Sequence, residues 1–233
     1  MNLSRIIALK GEFEAEGLSR DVLAAEVIYA AANGLPYLVK IGGCEAKSDM
    51  RFLIQIGVKR IVAPMIESGF AMKKYMQMLP NGAFDHVGVT IETINAVERI
   101  EEILDAGDKL TEVTVGRTDL TASFDGPGVD CPKTVSMVKA VARAARNRGL
   151  QTTMGGAVNG QTRHLLEEDE ELRQLVACVE TRKCVMHVPD FLQQGALAAA
   201  FELETRLLEM RESFHGAIAL AANERVVQLR ARL

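Results

Sequence analysis

The sequence predicts an α/β fold, a closed (β/α)8 barrel of the TIM type, on three observations. Short β-branched or apolar runs alternate with longer helical patterns along the chain, which is how a parallel sheet covered by helices reads. The connections are short and punctuated by Gly, Pro and Asn, as at Asn33-Gly34, Gly57 and Pro80-Asn81-Gly82. No GxGxxG follows the first strand, so an open doubly wound sheet built around a dinucleotide has no support.

Taken in order, Ile6 to Lys10 reads as a strand, followed by the acidic run Gly11-Glu12-Phe13-Glu14-Ala15-Glu16-Gly17. Ser19 is a candidate N-cap for a helix over Asp21 to Ala32. Leu35 to Ile41 is a second strand ending in Gly42-Gly43, Ala46 to Ile56 a helix, and Arg60 to Met65 a third strand. Phe70 to Leu79 is helical, His86 to Ile91 a strand, Ile94 to Leu104 a helix and Glu112 to Val115 a strand. Beyond the loop Asp125 to Pro132, Thr134 to Arg148 is an amphipathic helix and Leu150 to Met154 a strand running into Gly155-Gly156. Thr162 to Leu175 is helical, and Ala177 to Met186 contains a further strand.

This makes seven β-α units. The eighth strand of a barrel is not visible: the first strand is degraded, the barrel is incomplete, or two elements are merged. From Asp190 onward the pattern is a C-terminal helical extension with a break at His215-Gly216. Its apolar residues Leu192, Leu197, Phe201, Leu203, Leu207 and Leu208 either cover the barrel or pack on a neighbouring subunit, and a homo-oligomer is expected.

At 233 residues and 48% hydrophobic content the chain suits one domain, with residues 190–233 as its tail. Twenty-seven basic residues against 31 acidic ones give a net charge of −4 and no basic run, which argues against nucleic acid as a partner. The opening residues Met1 to Ile7 carry no apolar signal region and no stretch is long enough to span a bilayer, so no membrane partner and a cytoplasmic location are expected. Cys44, Cys131, Cys178 and Cys184 show no metal-ligand spacing and read as reduced thiols.

A barrel carries its chemistry at the C-terminal ends of its strands. The residues found there are Glu12 and Glu14, Lys40 with Gly42-Gly43 and Glu45, Glu67, Glu92, Arg117 and Asp119, Gly155-Gly156, then Glu180, Arg182 and Lys183. Carboxylates with open positions left for water suit Mg²⁺ or Mn²⁺, and nearby Lys and Arg neutralise an anionic substrate. Residues alone therefore point to a metal-assisted enzyme acting on a small oxyacid. Glu14 and Glu45 are candidate acid/base groups, Arg117 and Arg182 candidate substrate contacts, and Gly155 admits close approach of a ligand. Of the four histidines, only His187 follows a strand near a barrel mouth.

The segments Val39-Lys40-Ile41, Ile61 to Ser68 (IVAPMIES), Ile91-Glu92-Thr93 and Val115 to Thr121 (VGRTDLT) resemble, in order and approximate spacing, the HpcH/HpaI aldolase and citrate lyase β-subunit family over roughly residues 10 to 190. The resemblance implies a barrel of the phosphoenolpyruvate/pyruvate class, often oligomeric through an exchanged C-terminal helix. It also implies carbon–carbon bond cleavage or formation through a metal-bound enolate of pyruvate or an acyl-CoA. By the same resemblance Glu92 and Asp119 are metal ligands, and backbone N–H groups around Thr118 and Asp119 hold the substrate carboxylate. Lys40 stands where the family places an arginine that stabilises the enolate oxygen. The aldolase branch has a Glu-His pair after an early strand, whereas Gly11 to Ala15 here contains no histidine. The reading is a class II lyase or aldolase using Mg²⁺ or Mn²⁺ on a 2-oxo acid or its aldol product. The alternatives are a citryl- or malyl-CoA lyase-like or phosphoenolpyruvate-using enzyme, and a catalytically silent barrel acting as a binding or assembly subunit.

Overall fold

A computed structural model describes residues 3–230, apart from the side chains at 214 and 229. The ends of the expected domain, residues 1–2 and 231–233, lie outside the described residues. The strands are β1 (Ala8–Glu12), β2 (Tyr37–Lys40), β3 (Arg60–Ala63), β4 (His86–Ile91), β5 (Glu112–Gly116), β6 (Gln151–Gly155), β7 (Cys178–Glu180) and β8 (Cys184–His187). They close into a barrel in sequence order. The covering helices are α1 (Arg20–Ala32), α2 (Lys47–Gln55), α3 (Gly69–Met78), α4 (Ile94–Glu98), α5 (Ile100–Asp105), α6 (Arg117–Ala122), α7 (Pro132–Arg146), α8 (Gly160–Glu168) and α9 (Glu170–Leu175). Two more follow the last strand, α10 (Val188–Phe191) and α11 (Ala196–Arg230).

Local chemistry sets the boundaries. The Ser19 hydroxyl accepts from the Val22 N–H and caps α1, Ser68 caps α3 through the Ala71 N–H, and Thr93 caps α4 through the Ala96 N–H, each satisfying a donor that a helix start leaves unpaired. The helix expected over Ile94 to Leu104 is divided at Arg99, and the one over Thr162 to Leu175 is divided at Asp169, whose carboxylate caps α9. The strands are buried on both faces, with Val39, Ile61, Val89, Val113, Val115, Met154 and Val179 all within the core, as parallel sheet under helices requires.

The eighth strand was merged with the seventh in the sequence pattern. β1 to β7 pair in parallel, but β8 runs antiparallel to both β7 and β1. It therefore returns from β7 without a crossover helix. The reversal at Thr181-Arg182-Lys183 is pinned by the Thr181 N–H donating to the Cys184 carbonyl at 2.9 Å and by the Cys184 N–H donating to the Thr181 hydroxyl at 3.1 Å. It contains no Gly, Pro or Asn, so the residues that normally mark a turn are missing.

This reversal carries the Lys183 side chain inside, where its Nζ lies 2.6 Å from Glu16 and 3.0 Å from Glu26. Arg211 of α11 pairs with the same two carboxylates, and the Tyr37 hydroxyl donates to Glu26. Helix α11 is thereby tied to the barrel, with Ala196, Ala200, Leu203 and Leu207 buried. Its residues beyond Glu212 are exposed wherever they are described, and it passes through His215-Gly216 without a break. The interruption in the tail falls earlier, at Gly195, whose φ of +81° favours glycine. Among the described residues no helix is long and apolar enough to cross a membrane.

Replacing Lys183 with Met leaves Glu16 and Glu26 facing Arg211 alone. A buried pair that loses one partner costs about 3–5 kcal/mol, a large part of a typical domain's stability. Urea denaturation of Lys183→Met should show a loss of that size; a loss below about 1 kcal/mol would contradict this role.

Candidate active site at the mouth of the barrel

Strand register decides which side chains meet. Glu12 sits beside Lys40 across β1–β2, and Ile91 beside Val115 across β4–β5. Glu92 consequently emerges opposite Gly116, where a Cβ would stand 2.9 Å from Glu92 Oε2. A cavity of about 530 Å³ opens at these strand ends and is lined by Lys10, Glu12, Lys40, Thr90, Glu92, Thr118, Asp119, Gly156, Ala157, Glu180 and Arg182, with Phe201 and Glu204 supplied by α11.

Glu92 is buried, and each of its oxygens has a partner: Oε1 accepts from the Met65 N–H at 2.9 Å and Oε2 lies 3.2 Å from Lys40 Nζ. Burial raises its pKa above the ordinary carboxylate value, with Lys40 and the Met65 N–H offsetting part of the effect. Asp119 is exposed at the start of α6, and its negative charge pushes Glu92 further up. Met65 has φ 52° and Ala157 φ 47°, left-handed values that cost a residue with a side chain about 1–3 kcal/mol each. Both flank the mouth, at the ends of β3 and β6, and Met65 spends its conformation on directing an N–H at Glu92.

Deeper in the cavity, Lys10 Nζ lies 2.9 Å from Glu12 and 2.6 Å from Glu180 Oε1. Burial alone would lower the lysine's pKa, but the two carboxylates outweigh it and hold it above its ordinary value. Glu12 is held below the usual carboxylate range because Lys10, Lys40 and Arg182 overcome its burial. Glu180, buried and sharing Lys10 with Glu12, is pushed up. A Cβ on Gly155 would stand 2.7 Å from Glu180 Oε1, so that glycine makes room for a side chain.

The expected site residues separate into two groups. Lys40, Glu92, Thr118, Asp119 and Arg182 are brought together around the cavity. Gly155 is buried behind Glu180, and its neighbour Gly156 takes the lining position. Arg117 is elsewhere. Its guanidinium is fully buried and donates to the Gly155 carbonyl at 3.0 Å, the Gly156 carbonyl at 2.8 Å and Thr162 at 3.2 Å, and it pairs with Asp130. Each of its three nitrogens is engaged, tying α6 to the β6–α8 segment and to Asp130 ahead of α7, and the side chain does not line the cavity. Glu14 is also displaced: it is exposed beside Gly42, where a Cβ would meet its Oε1 at 2.8 Å, and it does not line the cavity. The first-strand register explains this, since β1 runs on to Glu12 and the chain has left the barrel by residue 14. Glu45 pairs with Lys74 on the surface and Glu67 accepts from the Thr93 hydroxyl.

The histidines fall away from the mouth. His86 and His187 line a cavity of about 300 Å³ at the opposite end of the barrel, with Glu112 and Cys178. Because β8 is antiparallel, its final residue His187 points to the end where the other strands begin. Burial and the nearby Glu112 push the Cys178 thiol up to about 12, so it stays protonated beside His187.

Glu92 and Asp119 are hard oxygen donors, and among the described residues no group of three His, Cys, Asp or Glu side chains is arranged to hold a metal. Two carboxylates fit an ion that retains most of its water, as Mg²⁺ does. The cavity lining carries five carboxylates against three cationic side chains, an excess of negative charge that favours a dication.

The HpcH/HpaI aldolase/citrate lyase family model matches residues 27–174, which is more than half of the chain and contains Lys40, Glu92 and Asp119. The chain belongs to the HpcH/HpaI aldolase/citrate lyase family. Membership supports an enzyme of the lyase or aldolase kind. Among solved structures, the barrel is similar to an HpcH/HpaI aldolase from Desulfitobacterium hafniense DCB-2, with a TM-score of 0.61, 16% identity and coverage of 86% of this chain and 82% of that one. It is similar to RipC from Yersinia pestis, with a TM-score of 0.58, 16% identity and coverage of 82% and 87%. It is also similar to the citrate synthase SbnG, with a TM-score of 0.63, 11% identity and coverage of 89% and 85%. At such identities the likeness establishes the fold. Comparison with curated protein sequences yields no match.

Proposed function

We propose that this family member is a metal-dependent carbon–carbon lyase or aldolase acting on a pyruvate-type 2-oxo acid or its aldol product. The observation that supports it most is the convergence of Glu92, Asp119 and Lys40 on one cavity, with Glu92 oriented by the Met65 N–H. Glu92 and Asp119 would hold Mg²⁺ or Mn²⁺, which when bound polarises a substrate carbonyl and lowers the energy of the neighbouring carbanion.

The chain's own residues supply the rest. Lys40 offers a charged donor to the oxygen on which negative charge develops, and such a donor strengthens as the charge grows. Backbone N–H groups near Thr118 receive the substrate carboxylate, across from Gly156, where a Cβ would stand 2.6 Å from the Thr118 nitrogen. Arg182 at the rim adds a cation for the distal part of an anionic substrate, and Phe201 on α11 lends the rim an apolar wall. The free cysteines suit a reducing compartment.

With Mg²⁺ or Mn²⁺ supplied, the protein should release pyruvate from a 4-hydroxy-2-oxo acid, and a chelator should abolish the release. Lys40→Met should lower kcat by about 10²–10³-fold, the usual loss for one oxyanion donor. A coupled assay of pyruvate over a panel of such acids measures both. Turnover that persists in chelator would refute metal dependence, and no release from any member of the panel would refute the reaction class.

Self-association is proposed as well. The outer part of α11 exposes Ile218, Leu220, Val226 and Val227, and a second copy of this chain would cover them. Light scattering should give a mass above that of one 25.4 kDa chain, falling to the monomer when residues 212–233 are removed; a full-length monomer would overturn this.

A further inference from the structure

Cleavage or formation of the carbon–carbon bond needs a group that takes a proton from a hydroxyl and returns it to carbon, and none of the described histidines lines the cavity. We propose that Glu180, at the end of β7, is that proton-carrying group, in an inference that rests on the reaction class proposed above.

Geometry singles it out among the carboxylates. Glu180 lines the cavity, its Oε1 is held by Lys10 at 2.6 Å, and its buried Oε2 has no partner among the described residues. Gly155 leaves room for its side chain against β6. Glu12, on the same lysine, is surrounded by Lys10, Lys40 and Arg182 and kept charged, which makes it a poor proton donor. Glu92 has both oxygens engaged. Burial raises its pKa, Glu112 from β5 and Glu12 from β1 push it further up, and Lys10 from β1 offsets only part of the effect. A carboxyl tuned upward exchanges protons more readily near neutral pH.

In the cleavage direction the Glu180 carboxylate takes the proton of the C4 hydroxyl. The C3–C4 bond then breaks, the oxygen's electron pair forms the aldehyde carbonyl, and the bonding pair moves onto C3 as the enolate of pyruvate. The Glu180 carboxyl returns its proton to C3, giving pyruvate. The hydroxyl proton ends on the methyl carbon and no further reactant is consumed.

The last step can be read by itself as exchange of pyruvate methyl protons with deuterium from solvent, followed by NMR on the Mg²⁺-loaded protein, with calorimetric binding of oxalate measured in parallel. Wild type should exchange, with a rate that depends on one ionisation. Glu180→Gln should slow exchange by about 10²–10⁴-fold and erase that ionisation from the pH profile, while binding oxalate within a few-fold of wild type. Exchange by Glu180→Gln near the wild-type rate would overturn the assignment. Should Glu180→Gln fail to bind oxalate, Glu180→Asp decides: slower exchange with a retained pH dependence supports the role, and unchanged exchange overturns it. Wild type that binds oxalate with Mg²⁺ but does not exchange would refute Glu180 while leaving the proposed site standing. Wild type that does neither would refute both.

Discussion

Closing seven parallel strands with an antiparallel eighth puts a sharp chain reversal at the mouth of the barrel, and that reversal drives the ammonium group of Lys183 into the interior. An unpaired buried charge is not tolerated, so the surroundings are built to meet it: Glu16 from the loop after β1, Glu26 from α1, and Arg211 from α11 share one network with it. The consequence is architectural. Arg211 fixes the course of α11 over the barrel, and the same helix delivers Phe201 and Glu204 to the wall of the cavity.

A second electrostatic arrangement sits inside the first. Lys10 is buried between Glu12 and Glu180, and Lys40 is set against Glu92. Each cation lets a carboxylate remain in a place from which burial would otherwise drive its charge. The balance is incomplete by design of the residues: Glu92 and Glu180 are both pushed up, Glu12 is pushed down, and Asp119 stands exposed at the rim. Groups with opposed proton affinities in one cavity are what acid/base chemistry requires. The left-handed backbone at Met65 and Ala157 is stored at the same place, as strain tends to be at working sites.

Much of this was readable from residues. The alternation of strands and helices gave the barrel, and strand ends located Lys40, Glu92, Asp119 and Arg182. The hidden features share a physical cause, which is that each depends on a direction or a partner distant in sequence. The β7–β8 reversal uses Thr181, Arg182 and Lys183 rather than turn-forming residues, so nothing in the pattern announced two strands. Lys10 lies within an apolar strand and its fate depends on Glu180, 170 residues away. Arg117 follows a strand, as an active-site residue would, yet its side chain turns under the β6–α8 loop. A longer β1 carries Glu12 into the cavity and leaves Glu14 outside. Phe201 and Glu204 belong to a helix whose path over the mouth is set by Arg211.

The proposed joint ligation of one divalent ion by Glu92 and Asp119 is tested most directly by the electron paramagnetic resonance spectrum of Mn²⁺ titrated into the protein. One bound Mn²⁺ per chain in wild type, lost in both Asp119→Asn and Glu92→Gln and retained in Arg117→Lys, is the predicted result. Absence of a bound signal in wild type, or binding that survives both carboxylate replacements, would contradict it.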